Sequence, residues 1–452
     1  MTMVKFYCCL SLSFLILSLL LNDFSNAAGT ADKSEEWGYV QVRPKAHMFW
    51  WLYRSPRRTE NSLNTWPTIL WLQGGPGASG VALGNFMEIG PLDLDLNARP
   101  STWLKKADLL FVDNPVGTGY SFVEDTKLLV KNDEEAAKDL TTLLRKLYNK
   151  NSELQRSPLF IVAESYGGKF AVTAGLSIVK AVNAKTLNLK FGGVALGDSW
   201  ISPEDFVLSW GPLLLDMSRL DKKDAEKSNS LAIRIKDQLK NGQYKEAEQK
   251  WDELEDVVRT SSNYVDFYNF LNEDLPSQPT TDMKLLEPVR RRYFNYITSK
   301  ASSTRDTDDL MNTVIRRKLR IIPKNISWGG QSDDVFEALK SDFMRPRISE
   351  VDELLSLGVN VTVYNGQLDL ICSTKGAEAW IQKLRWIGLK NFMESKREPL
   401  YCEESESGST KAFKKNYKNL HFYWILGAGH FVPVDQPCIA LQMVTGITHS
   451  SA

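Results

Sequence analysis

The 452-residue chain has little that is extreme. Its 55 basic and 55 acidic residues cancel to a formal net charge of zero, so it has no electrostatic footprint for nucleic acid. With 43% hydrophobic residues, that balance also excludes an intrinsically disordered chain. No internal repeat or low-complexity segment interrupts it. After the N-terminal segment no apolar run is long enough to span a bilayer, so no membrane association is expected once that segment is removed. Cysteine is scarce: five in all, at positions 8, 9, 372, 402 and 438. Histidine is scarcer, with four, which narrows the search for a general base.

At the N-terminus Lys5 precedes the apolar run "CCLSLSFLILSLLL", followed by the small-residue site Ser25-Asn26-Ala27. This reads as a secretory signal peptide over residues 1–27. Its removal takes Cys8 and Cys9 and leaves Cys372, Cys402 and Cys438, an odd number that permits one disulfide and one free thiol. The sequons Asn325-Ile326-Ser327 and Asn360-Val361-Thr362 are usable only in the secretory pathway. The expected location is therefore that pathway, ending outside the cell or in a vacuole or lysosome.

The length is large for one domain, and the pattern divides into stretches. Over 28–202, apolar runs suited to buried strands ("PTILWL", "DLLFVD", "PLFIVA", "FGGVALGD") alternate with glycine turns and with helical sequence such as "NDEEAAKDLTTLLRKLYNK". That order predicts an α/β fold with a largely parallel central sheet. Over 203–344 the composition turns charged and helix-favouring without comparable strand runs, which predicts a helical cap insertion. Over 345–452, "VNVTVYNGQLD" and "LHFYWILGAGH" restore buried strands and complete the sheet.

Chemistry enters at "PLFIVAESYGGKFA". A strand-like run stops at Ala163-Glu164-Ser165-Tyr166-Gly167-Gly168 and a helical pattern begins, as in a nucleophile elbow that lifts Ser165 clear of the sheet. Ala163 stands where the usual signature has its first glycine. The hydrolase arrangement requires an acid after the serine and then a histidine, each at the end of a later strand. His47 precedes the serine, His449 lies in a polar tail, and His421 opens an apolar run. His430, in "ILGAGHFVP", follows a strand in a glycine turn. Asp369 lies just after "VNVTVYNGQ" and is the expected acid; Asp435 lies beyond the histidine. In this arrangement Asp369 fixes the His430 tautomer and stabilises the imidazolium formed when Ser165 attacks.

The glycine-rich stretch "ILWLQGGPGASG" poses a choice, because Gly75, Gly77 and Gly80 fit the G-x-G-x-x-G dinucleotide fingerprint. Pro76 removes an N–H where a phosphate cradle wants donors, and no clear strand carries the acidic residue expected near Asp95. A loop after an early strand in a hydrolase instead supplies one oxyanion-hole N–H, and the residue after the nucleophile supplies the other. Gly75 and Tyr166 take these roles. Neither a cofactor nor a metal ion is expected.

Taken in order, "WLQGGPGASG", "NFMEIGPLDL", "FVDNPVGTGYSF", "ESYGGKF", "NGQLDLIC" and "ILGAGHFVPVDQP" resemble the serine carboxypeptidases, most closely their retinoid-inducible serine carboxypeptidase-like branch. The resemblance runs from about Trp37 to Gln442. It implies an α/β-hydrolase fold with Ser165, Asp369 and His430 as triad, a cap over the substrate pocket, and hydrolysis of the C-terminal bond of peptides and proteins through an acyl-enzyme. The family's subsite for the terminal carboxylate matches Gln73, Glu88 and Glu164; the amide is one methylene longer than the usual asparagine, and Trp71 is placed to pack beside it. Two neighbouring carboxyls cannot both ionise cheaply, so one stays protonated and donates to the substrate carboxylate, which implies activity favoured at acid pH. Ala78 stands where many members carry a half-cystine, and Cys372 matches a thiol often left unpaired, which leaves Cys402 and Cys438 as the pair. The same machinery also serves acyl transfer from sugar esters in carboxypeptidase-like paralogues, where aspartate typically precedes the nucleophile; Glu164 favours the peptidase. A catalytically silent secreted binding protein and a lipase-like esterase are the remaining alternatives.

Overall fold

The computed structural model describes residues 27–58, 66–275, 289–300, 303, 305–402 and 408–449. All of the expected signal segment except Ala27 lies outside them. In chain order the strands are β1 (Ala28–Gly29), β2 (Glu35–Arg43), β3 (Ala46–Tyr53), β4 (Thr68–Leu72), β5 (Asp108–Val112), β6 (Phe122–Val123), β7 (Pro158–Glu164), β8 (Lys190–Gly197), β9 (Asn360–Gly366), β10 (Glu398–Leu400), β11 (Ala412–Tyr417) and β12 (Leu420–Ile425).

They form one 12-stranded sheet in the order β1-β2-β3-β5-β4-β7-β8-β9-β12-β11-β10, with β6 on β3. The central run β5-β4-β7-β8-β9-β12 is parallel throughout, and the flanking pairs are antiparallel. Every residue of β4 and β5 is buried, as parallel strands with both faces covered require. The helix Gly167–Asn183 leaves β7 and packs on β8, and the helix Asp133–Tyr148 lies against it. Asn132 caps the latter by accepting from Glu135 N at 2.9 Å; acids fill its first turn and Arg145 and Lys146 its last, matching the helix dipole.

β2, β3 and β11 lie outside the apolar runs that the sequence reading singles out. They are antiparallel strands: β2 starts and ends on charged residues, β11 carries Lys414 and Lys415, β3 is buried at every position but His47, and β2 turns into β3 at Pro44-Lys45 with Lys45 at φ +62°. Between β8 and β9 the named elements are all helical: chiefly Pro203–Asp216, Lys222–Lys240, Tyr244–Ser261, Val289–Ser299, Asp333–Phe343 and Ile348–Ser356. After "GGPGAS" the chain forms a π-helical segment, Gly80–Ile89, that is buried along its whole length. His449 is the last residue of the helix Pro437–His449.

Cys402 and Cys438 are disulfide-bonded, tying the segment after β10 to that last helix across 36 residues, while Cys372 is free and buried. Closing a loop of that length removes chain entropy worth about 4 kcal/mol from the unfolded state. Among the described residues no helix is long and apolar enough to cross a membrane.

Candidate active site

Ser165 sits where β7 ends, before the helix Gly167–Asn183, with a left-handed φ of +58°. A non-glycine residue there carries strain of about 1–2 kcal/mol. Hydrogen bonds on both sides hold the turn: Ser165 N donates to Gly197 O at 3.0 Å, and Ser165 O accepts from Gly168 N at 3.1 Å and Trp200 N at 3.0 Å. Ala163 is buried in the strand in place of the usual glycine. The helix has no side-chain cap at its start, so its first N–H groups and positive dipole end stand at the nucleophile.

His430 and Asp369 come from the turns after β12 and β9. His430 Nδ1 lies 2.9 Å from Asp369 Oδ2, both side chains fully buried. Because a carboxylate faces Nδ1, that nitrogen carries the proton and Nε2 keeps its lone pair. Nε2 is buried and has no hydrogen-bond partner among the described residues. His430 N donates to Tyr268 O at 2.8 Å, and the Tyr268 and Tyr293 rings meet the imidazole edge-on. The other acid, Asp435, is engaged elsewhere, accepting from Gly429 N at 2.8 Å and Lys300 Nζ at 3.1 Å. His47 pairs with Glu124 on the surface, and His421 lies on β12, half-buried and held down to about 4 by desolvation.

The loop after β4 presses against the nucleophile. A side chain at Gly74 would place its Cβ 2.5 Å from Ser165 Cβ, so only glycine brings the loop this close. Gly75 follows at φ +104° and lines one pocket with Ser165 and Tyr166. Among the described residues neither the Gly75 nor the Tyr166 N–H donates to a backbone carbonyl. The Tyr166 ring is anchored: its hydroxyl donates to Asp133 Oδ1 at 2.9 Å and its face stacks on Phe343. Asp133 belongs to a buried ionic cluster in which Arg347 reaches Asp133 at 2.8 Å, Asp342 at 2.7 Å and Glu134 at 2.6 Å, and Lys169 lies 3.6 Å from Asp133.

Gln73, Glu88 and Glu164 converge. Trp71 Nε1, which can only donate, meets Gln73 Oε1 at 2.7 Å, so the Gln73 amide nitrogen must point the other way. There it lies 3.0 Å from Glu88 Oε1, 3.0 Å from Glu164 Oε1 and 2.9 Å from the Tyr293 hydroxyl, which itself donates to Glu164 at 3.1 Å. The longer amide therefore reaches both carboxyls. Desolvation pushes Glu88 up to about 7, and desolvation plus the Glu88 charge push Glu164 well above the usual carboxyl range. The second oxygens of both groups are buried without a partner among the described residues. Two carboxyls so placed hold at least one proton near neutrality.

The pocket beside Ser165 is closed by Trp200, Trp251, Phe336, Phe343, Ile371 and Cys372. Tyr293 and the aromatic walls were not legible in the sequence, since nothing in "RRRYFNYI" or "KWDELEDV" says which aromatic faces the nucleophile, whereas Cys372 lines the pocket as the resemblance implied. Cys372 Sγ lies within 4.8 Å of the Asp369 and His430 donor atoms. Of the two sequons, Asn325 is exposed, whereas Asn360 is half-buried at the start of β9 with its amide nitrogen donating to Gly192 O at 3.1 Å.

A family model described as serine carboxypeptidase matches residues 26–450. The chain is 60% identical over 431 residues to serine carboxypeptidase-like 51 of Arabidopsis thaliana, covering 93% of each chain. It is 46% identical over 443 residues to the human retinoid-inducible serine carboxypeptidase, covering 96% of each. Among solved structures it resembles Kex1(Δ)p, a prohormone-processing carboxypeptidase from Saccharomyces cerevisiae, with a TM-score of 0.77 at 20% identity over 92% of this chain and 91% of that one. That likeness gives the fold. With the family model and the relatives it makes this chain an α/β hydrolase that belongs to the serine carboxypeptidase family, a serine-type carboxypeptidase.

Proposed function

We propose that this enzyme removes the C-terminal residue of peptides and proteins, most actively at acid pH, within the secretory pathway, outside the cell or in a vacuole or lysosome. The observation that carries the reading is the Gln73-anchored acid pair, Glu88 and Glu164, the latter adjoining the nucleophile. A neutral carboxyl there donates a hydrogen bond to the substrate's terminal carboxylate, and a second ionised carboxylate would repel it.

Ser165 Oγ attacks the scissile carbonyl carbon as His430 Nε2 takes its proton, and Asp369 stabilises the imidazolium. The carbonyl oxygen, now anionic, receives hydrogen bonds from the Gly75 N–H of the loop after β4 and from the Tyr166 N–H at the helix N-terminus. Collapse breaks the C–N bond and His430 returns the proton to the departing amino acid, leaving an ester on Ser165. Water, deprotonated by the same nitrogen, cleaves the ester and frees the shortened peptide. Residues 203–344 act as the cap, and its Trp251, Phe336 and Phe343 favour an apolar side chain before the scissile bond. Residues 1–27 serve as the signal, and Asn325, exposed and unencumbered, is the better glycan acceptor than Asn360.

The test is to offer a blocked dipeptide and, separately, a sugar ester of an aromatic acid with an alcohol acceptor. Release of the C-terminal amino acid, absent in Ser165→Ala, is expected. Acyl transfer to the alcohol without peptide cleavage would overturn the hydrolase reading in favour of the transferase.

A further inference from the structure

We propose that Asp198 is the positioning residue of the Asp369–His430 couple: as a neutral carboxylic acid it donates its Oδ2–H to Asp369 Oδ1, which turns Asp369 Oδ2 onto His430 Nδ1. The inference rests on the triad reading above.

Asp198 follows β8 directly and is fully buried. Its Oδ1 accepts from Gly366 N at 2.8 Å and Asn365 Nδ2 at 3.3 Å. Asp369 uses Oδ2 for His430. What remains is Asp198 Oδ2 and Asp369 Oδ1, both buried and otherwise without a partner among the described residues, on side chains within hydrogen-bonding reach of each other. Two carboxylate oxygens cannot satisfy one another, because both only accept. One proton between them converts two orphaned acceptors and a like-charge repulsion into a charge-assisted hydrogen bond. The proton belongs on Asp198, since the His430 Nδ1–H favours the charge on Asp369.

The groups facing Asp198 agree. Asp369 and Asp435 oppose a charge on it, and Glu164, Tyr364 and Cys372 lie within its field. Asp435 is paired with Lys300, and His430 lies across Asp369. Burial and Asp369 hold the Asp198 carboxyl well above the usual range.

The backbone sets the same residue apart. Asp198 lies at φ +40°, a left-handed conformation that Asp and Asn tolerate better than most residues. Its N–H donates to Tyr364 O at 2.9 Å, and its neighbours Gly197 and Trp200 bond Ser165 from both sides. The nucleophile turn and the Asp198 turn are thus one hydrogen-bonded unit.

The test measures how fast a fluorophosphonate labels Ser165, which reads the nucleophile without involving the terminal-carboxylate subsite. Asp198→Gly keeps the left-handed turn and deletes the acid; Asp198→Asn keeps a donor that cannot ionise. At pH 5, Asp198→Gly is expected to label about 10–100-fold more slowly, the loss of a hydrogen bond to a charged group. Asp198→Asn is expected to recover most of that loss. As pH rises the wild type is expected to lose rate once Asp198 ionises, and Asp198→Asn to lack that alkaline limb. A wild-type rate in Asp198→Gly, an equal loss in Asp198→Asn, or an unchanged alkaline limb in Asp198→Asn each overturns the proposal. If Asp198→Gly fails to fold by circular dichroism, the Asp198→Asn pH limb alone decides. Asp369→Asn separates the two levels: if it labels at the wild-type rate, the triad reading itself fails, whereas its collapse beside an indifferent Asp198→Gly removes only the present inference.

Discussion

Replacing Glu88 by Gln probes the acid pair without emptying the subsite. Burial pushes Glu88 up to about 7, and Glu164 lies higher because it also feels the Glu88 charge. As pH rises the pair therefore loses its first proton near neutrality and gains a charge facing the substrate's carboxylate. At pH 8, one unit above such a midpoint, about one molecule in eleven keeps that proton, so kcat/KM toward a free C-terminal acid should fall about tenfold between pH 5 and pH 8. Glu88→Gln cannot ionise, keeps an amide donor and lowers the repulsion on Glu164. Its fall over the same range should shrink to less than about threefold, with the change carried by KM. The assay is the initial rate of amino-acid release from a blocked dipeptide at each pH for both proteins. A wild-type profile flat to pH 8, or the full tenfold fall in Glu88→Gln, would refute the reasoning.

Other expectations follow from the same contacts. Tyr293→Phe removes the hydroxyl shared by Gln73 and Glu164, and should raise KM for C-terminal acids about 5–10-fold while sparing kcat, as steady-state kinetics would show. Arg347→Met strands Asp133 and Asp342 beneath Tyr166 and should cost about 3–5 kcal/mol in urea unfolding. Thermal stability should fall as pH rises from 5 to 7.5. Desolvation raises Asp113 and Asp133 to about 6 and Asp266 to about 7, each above its unfolded value of 3.8. The stability these groups contribute is complete below the unfolded value and is lost as pH passes through the folded one. For Asp113 alone the full loss from below 3.8 to above 6 amounts to about 3 kcal/mol, of which about 1.4 kcal/mol falls between pH 5 and 7.5, and differential scanning calorimetry across this range measures it.

What the sequence revealed follows what is local. The strand-to-helix switch at Ser165 is written in adjacent residues, as are the glycine turns that carry Asp369 and His430, so chain order alone proposed which acid and base accompany the nucleophile. β2 and β11 escape an apolar-run criterion because charged residues flank or interrupt them, whereas β3 is a buried apolar run over Ala46–Tyr53 that the pattern of glycine turns and helices did not single out. Tyr293 was hidden for a different reason. It reaches Gln73 across 220 residues, a contact made by cap packing that no local pattern encodes. Asp198 was nearer to view, an acid at a strand end beside a nucleophile elbow, yet its partner is known only once β8 and β9 are seen side by side. The extra methylene of Gln73 was resolved by Trp71, whose N–H fixes the direction of the amide.

The most direct test of the central claim compares a blocked dipeptide with its C-terminal amide at pH 5, using the wild type and Ser165→Ala. The account predicts rapid release from the free acid, much slower release from the amide, and none from the mutant. Equal rates on acid and amide would mean that Gln73, Glu88 and Glu164 do not read the terminal carboxylate, and release persisting in Ser165→Ala would mean that another residue is the nucleophile.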